Sequence, residues 1–168
     1  MNLYQGALCS CLPCDFVVMG YIMKEIIAAV DFSDVSEPVL EMAVKITQAL
    51  GGQLHLVHVV EAEPTYAAYG FSPDDYPAMH EIQVESASRA QIKLGKMADQ
   101  SGLAGVQTSV VQGQPLRALL DYAKGVGGEM LVLGSHGHGF LNSLLLGSVA
   151  EGCVRKADLP ALIVPMKK

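Results

Sequence analysis

The chain is predicted to fold as a doubly wound α/β domain, a parallel sheet with helices on both faces. Three observations predict it. From residue 24 onward, apolar runs of strand length alternate with segments of helical periodicity. The runs are apolar at consecutive positions, as in strands buried on both faces. Finally, the pattern Gly134-x-x-Gly137, nine residues, Gly147-Ser148 joins the end of one apolar run to the start of a helix. In open α/β sheets ligands sit at such carboxyl ends of strands, where the winding direction reverses.

The first strand is read over 24–30, on Glu25-Ile26-Ile27-Ala28-Ala29-Val30, and ends at Asp31. Asp34 and Glu37 have capping-box spacing and Pro38 is tolerated in a first turn, so a helix starts there. Its apolar positions Val39, Leu40, Ala43, Ile46, Ala49 and Leu50 recur at helical spacing until Gly51-Gly52. Residues 53–60 form a second apolar run. A long polar loop bearing Tyr66, Tyr69, Phe71 and Tyr76 then leads to a second helix over about 78–101. That helix turns Met79, Ile82, Ala87, Ala90, Leu94 and Met97 to one side. A third strand spans 106–111, and Gln112-Gly113-Gln114-Pro115 turns into a third helix closed by Gly127-Gly128. The fourth strand spans 129–133, the fourth helix about 148–157, and a short last strand 161–165.

A chain of 168 residues suits one domain with a substantial core. The formal charge of −6, with eleven scattered basic residues, argues against a nucleic-acid partner, because phosphate backbones demand clustered Lys and Arg. No uncharged apolar run approaches the ~20 residues of a membrane span. Residues 1–22 read differently from the rest: an N-terminal extension expected to be poorly ordered, ahead of a domain over 23–168, with Met23 as an alternative start. Cys9, Cys11 and Cys14 crowd into it, and no second knuckle completes a metal site. With no export signal and no disulfide framework, a cytoplasmic location is expected.

The glycine loop reads as a phosphate cradle. Gly134 and Gly137 would permit positive φ and close backbone approach, and free amides at the head of the next helix would point at an anion. The motif is not a Walker A loop, for no Gly-Lys-Ser/Thr follows, nor a G-x-G-x-x-G fingerprint after the first strand. Ser148 is read as the helix cap, its hydroxyl also able to donate to phosphate. Asp31 at a strand end suits ribose hydroxyls or a divalent cation, or the backbone amides of the next turn. His136 and His138 flank Gly137, lack the further donors of a metal site, and are expected to hydrogen-bond phosphate or solvent. His55 and His58 should point to opposite faces of the second strand, His58 nearer the crevice. Cys153 reads as a small buried hydrophobe, and no nucleophile elbow is present.

From about Met23 to the C-terminus, the chain resembles the universal stress protein family in its nucleotide-binding branch. The residues that carry this are Ile27-Ala28-Ala29-Val30-Asp31-Phe32-Ser33-Asp34, Leu56-Val57-His58-Val59-Val60, Gly113-Gln114-Pro115, the Gly134 to Val149 motif, and Leu159-Pro160-Ala161-Leu162-Ile163-Val164-Pro165. The resemblance implies a five-stranded, Rossmann-like parallel sheet of order 3-2-1-4-5 and a homodimer through the last strand. It implies ATP or another adenine nucleotide as ligand, with Mg2+ or Mn2+. Asp31 would contact ribose or metal, Val59 would meet adenine through its backbone, and Ala29 and Val30 would border the pocket. Gly134, His136, Gly137, Gly147, Ser148 and Val149 would hold phosphates, and Gly113 would line the ribose side. The implied role is a dimeric, nucleotide-dependent stress-response module. The alternatives are a slow ATP hydrolase or phosphotransfer protein, and a dinucleotide or electron-transfer domain that would lack its fingerprint. The cysteine-bearing extension departs from the family pattern.

Overall fold

The structure, a computed structural model, describes residues 24–61, 77–137 and 146–165. The extension over 1–22, the tyrosine-bearing loop and His138 lie outside the described residues. In chain order the elements are β1 (Glu25–Ala29), α1 (Ser36–Leu50), β2 (Gln53–Val60), α2 (Pro77–Gln100), β3 (Gln107–Gln112), α3 (Pro115–Gly125), β4 (Met130–Gly134), α4 (Ser148–Lys156) and β5 (Ala161–Val164). The strands form one sheet of order β3-β2-β1-β4-β5, and every pairing is parallel. The doubly wound expectation and the strand order both hold.

Alternate residues of the central strands explain the two layers. Ile26 and Ala28 of β1 pack with Val39, Leu40 and Ala43 of α1 and Leu94 of α2. Ile27, between them, packs on the opposite face with Leu119 and Ala123 of α3 and Ala150 and Cys153 of α4. Side chains alternate across a strand, so a run apolar at every position must bury both faces. The winding reverses at β1, whose chain continues to β2 on one side while β4 pairs on the other. That reversal opens a gap above the carboxyl ends of β1 and β4.

The start of α1 departs from expectation. Its N-cap is Val35, with no side-chain capping bond, so the Asp34–Glu37 capping box does not form. The turn is held instead by Ser36 N donating to Ser33 O at 2.9 Å and by the Asp31 carboxylate described below. The buried stripe runs through Ser36, Val39, Leu40, Ala43 and Thr47, while Ala49 and Leu50 are exposed. Thr47 tolerates burial because its Oγ1 donates to Ala43 O at 2.8 Å. Gly51 ends the helix at φ 64°, a left-handed cap that glycine adopts without steric cost.

His55 and His58 do face opposite ways. The His55 ring sits between Glu25 Oε2 at 2.7 Å and the Tyr122 hydroxyl of α3 at 2.9 Å, and that hydroxyl also meets Ser109 Oγ at 3.0 Å. This polar chain ties β1, β2, β3 and α3 together near the amino end of the sheet.

Cys153 is buried, as its helical context implied. Burial pushes its thiol from 9.0 up to about 11. The folded chain therefore keeps the thiol proton where the unfolded chain has already released it. The stabilisation is intact below the unfolded value and lost as pH rises from about 9 towards about 11. At pH ~10 the loss should be about 1 kcal/mol. Urea titrations at two pH values should show this slope in the native chain and its disappearance in Cys153→Ala; equal slopes would refute it.

Candidate functional site

A crevice of about 260 Å³ lies above the carboxyl ends of β1 and β4. Of the eleven residues that the sequence nominated, ten line it. Ala29, Val30 and Asp31 come from the end of β1, and Val59 from β2. Gly134, His136 and Gly137 follow β4, and Gly147, Ser148 and Val149 begin α4. The exception is Gly113, which borders an adjoining groove of about 330 Å³ with Gln114, Leu116 and residues shared with the crevice. Its φ is 143°, and its N–H donates to Val60 O at 3.1 Å, which joins the ends of β2 and β3. Glycine is needed there for the backbone.

The glycines of the loop serve a different purpose from the one expected. Neither Gly134 nor Gly137 has positive φ. Both are needed for room. A Cβ on Gly134 would stand 2.8 Å from Val35 Cγ1, and one on Gly137 would stand 2.6 Å from Asp31 Oδ2. At Gly147 it would stand 3.2 Å from Ser135 O. The two ends of the loop are clasped by the Gly147 amide, which donates to that same carbonyl at 2.8 Å.

The helix begins at Ser148 as read, but its cap lies one residue earlier. Gly147 is the N-cap of α4, with extended φ −62° and ψ 150°, and Ser148 is the first helical residue. A glycine N-cap brings no side-chain acceptor, and α4 has no side-chain capping bond. Its first-turn amides, at Ser148, Val149 and Ala150, therefore border the crevice without that competitor. The contrast is α3, where Gln114 Oε1 accepts from Arg117 N at 2.9 Å and Pro115 follows. Both helix starts border the crevice, α3 through Pro115 and α4 through Ser148, and of the two only α4 lacks a side-chain cap.

Asp31 serves two purposes at once. Its Oδ1 accepts from Ser33 N at 3.0 Å, Ser33 Oγ at 2.5 Å and Ser36 Oγ at 3.2 Å. Those bonds fix the carboxylate, and its Oδ2 is directed at the Gly137 backbone. The reading of Asp31 as a partner of the following turn thus holds, and the same side chain lines the crevice. His136 makes a 2.9 Å contact between Nδ1 and Ser135 Oγ. Its Nε2 is buried and has no hydrogen-bond partner among the described residues. A buried ring nitrogen without a partner is costly unless something fills the site.

Several lining residues escaped the sequence reading: Val35, Ser36, Glu61, Pro115 and Leu119. Glu61 carried a signal, since it follows β2 much as Asp31 follows β1. Ser36 carried one too, as a hydroxyl one turn beyond Asp31. The lining includes two carboxylates, Asp31 and Glu61, and two histidines, His58 and His136, and no Lys or Arg among the described residues. Nor do the described residues contain a cluster of three or more His, Cys, Asp or Glu able to hold a metal ion unaided. The donor set fits a cation that one carboxylate shares with ligand oxygens and water, the usual manner for Mg2+. No helix among them is long and apolar enough to cross a membrane.

Known proteins resemble this chain in sequence or in fold. Universal stress protein MJ0531 of Methanocaldococcus jannaschii is 27% identical over 147 residues, spanning 88% of this chain and 85% of that protein. The solved structure of universal stress protein UspA from Lactobacillus plantarum superposes with a TM-score of 0.74 at 22% identity, covering 84% of this chain and 97% of the other. The universal stress protein from Archaeoglobus fulgidus, solved in complex with dAMP, superposes at 0.59 and 22% identity, covering 84% and 98%. The sequence model of the Universal stress protein family matches residues 23–165. With that match over most of its length, and with the five-stranded order just described, the chain belongs to the universal stress protein family.

Proposed function

We propose that the crevice binds an adenine nucleotide, ATP in the first instance, and that the protein acts as a nucleotide-dependent regulatory module. The observation that carries the proposal is the backbone shell of the β4–α4 connection. Three glycines let the loop backbone lie closer to Val35, Asp31 and Ser135 than a Cβ would allow, and the first-turn amides of α4 stand without a side-chain cap beside them. Such amides, with the helix dipole behind them, favour phosphate. The partnerless Nε2 of His136 supplies one further hydrogen-bonding group at the same place. The complex of the Archaeoglobus fulgidus relative with dAMP is in keeping with this ligand class.

In this reading Gly134, Gly137, Gly147, Ser148, Val149 and His136 hold phosphates. Asp31 meets ribose or a divalent cation, and Gly113 borders the ribose from the adjoining groove. Ala29, Val30 and Val59 surround the base. A bound Mg2+ or Mn2+ would neutralise phosphate charge beside Asp31 and Glu61. The outer edge of β5, which pairs only with β4 among the described strands, is the proposed seam of a homodimer in the cytoplasm. A transferring γ-phosphoryl needs cations to neutralise its charge, and the described lining supplies no Lys or Arg. Binding without brisk turnover is therefore the favoured reading over hydrolysis or phosphotransfer.

Calorimetric titration with Mg-ATP, ADP and AMP, together with phosphate release, tests this. Saturable binding to one site per chain with little release is expected. An absence of binding by all three would refute the proposal, and release at ordinary enzyme rates would replace it with the hydrolase reading.

A further inference from the structure

Phe32 is the one residue other than glycine with positive φ among those described, at 63°. A side chain in the left-handed region crowds the backbone, and such strain persists only where the surroundings impose it. The residue sits directly after Asp31, whose carboxylate accepts from Ser33 N and Ser33 Oγ just beyond it. Its ring packs on the His58 ring, with centroids 4.3 Å apart and planes tilted by 34°. Lys93 Nζ of α2 lies 4.9 Å from the centroid of the Phe32 ring, within cation–π range. Phe32 and Lys93 border a groove between α1 and α2, whereas His58 borders the crevice. The three therefore form a row running from that groove to the crevice wall.

The row has a consequence at each end. Val30 O accepts from His58 Nδ1 at 2.8 Å, which fixes the tautomer with its proton on Nδ1. With Phe32 against it, the imidazole has both its plane and its edge determined. The left-handed turn at Phe32 also brings Ser33 N back to within 3.0 Å of Asp31 Oδ1.

We infer that Phe32 is a positioning residue of the crevice, its ring fixing His58 and its strained backbone fixing Asp31. It touches no ligand itself. The inference rests on the nucleotide reading above and adds to it a specific residue whose strain is retained for the geometry of the site. The Asp31 bonds to Ser33 and Ser36 hold the backbone in this conformation whether or not the ring is present.

Three variants separate the ring from the backbone: Phe32→Ala, Phe32→Gly and Phe32→Tyr. Alanine removes the ring and keeps the strain, glycine removes both, and tyrosine keeps both. Mg-ATP affinity should fall about tenfold in the alanine and glycine variants and stay within about twofold in the tyrosine variant. In the absence of ligand, Phe32→Gly should melt above Phe32→Ala, the reverse of the usual order of these residues. A packing role alone would lower melting temperatures without changing affinity. Wild-type affinity in both ringless variants would overturn the positioning role, and Phe32→Gly melting at or below Phe32→Ala would overturn the strain. Failure of the wild-type chain to bind Mg-ATP would overturn the nucleotide reading, and with it the ligand half of this inference. The melting order tests the other half without ligand.

Discussion

Gly137→Val should abolish the stabilisation of this protein by nucleotide while leaving its fold in place. At a hundredfold excess over the dissociation constant, a ligand stabilises a native site by about 2.7 kcal/mol. For a domain of this size that corresponds to a melting shift of roughly 5–10 °C with Mg-ATP. The branched side chain at Gly137 would begin with a Cβ 2.6 Å from Asp31 Oδ2. Either the carboxylate or the loop must move, and both belong to the proposed site. Gly137 is itself exposed, so the hydrophobic layers are untouched. The same change at Gly134 would be less informative, because its Cβ meets Val35 at 2.8 Å and disturbs the start of α1. Differential scanning fluorimetry of the two proteins with and without Mg-ATP decides the matter. A full shift in Gly137→Val would mean that the phosphates do not lie along this backbone.

The second large effect concerns the core. Leu131 of β4 is fully buried, on a strand paired on both sides, and packs in the α3–α4 layer. Truncating such a leucine to alanine costs about 2–5 kcal/mol, partly as lost transfer free energy and partly as the cavity left behind. Native domains have only about 5–15 kcal/mol in total, so Leu131→Ala should lower the urea midpoint by about 1–2 M. Leu131 lies at the amino half of β4, away from Gly134, and the folded variant should keep its nucleotide-induced shift. A loss below about 1 kcal/mol would show that this layer relaxes far more readily than its packing implies.

The two predictions draw on different levels of information. That Leu131 is buried was readable from the run Met130-Leu131-Val132-Leu133, because an uninterrupted apolar strand can only be stable between two covering layers. That Gly137 abuts Asp31 was not readable as a contact. The glycines stood out, but the reason assigned to them was conformational, whereas the structure shows that Gly134 and Gly137 supply space. Likewise the acidic residue at the end of β1 was conspicuous, while the bonds that aim it, from Ser33 and Ser36, span a left-handed turn at Phe32. Phe32 gave no sequence warning, since a phenylalanine in that backbone region is held there by its neighbours in space.

The caps follow the same division. Asp34 and Glu37 had the right spacing for a capping box, yet the turn was taken over by Asp31, which reaches it from the end of the strand. Gly113 had the right position at a strand end and lies in the adjoining groove, because β3 is at the edge of the sheet, with β2 and β1 between it and β4.

What the sequence determined by itself was the succession of strands and helices, the double-faced burial of the central strands and the residues from which a crevice would be built. Those properties follow from local periodicity and from the chemistry of single residues, which act over a few positions along the chain. Only the tertiary structure decided which of them meet: Asp31 with Gly137, Phe32 with His58 and Lys93, the α4 amides with the crevice, and Gly113 with the adjoining groove. Such meetings depend on strand order and register, which are settled by the packing of the whole sheet between its two helical layers.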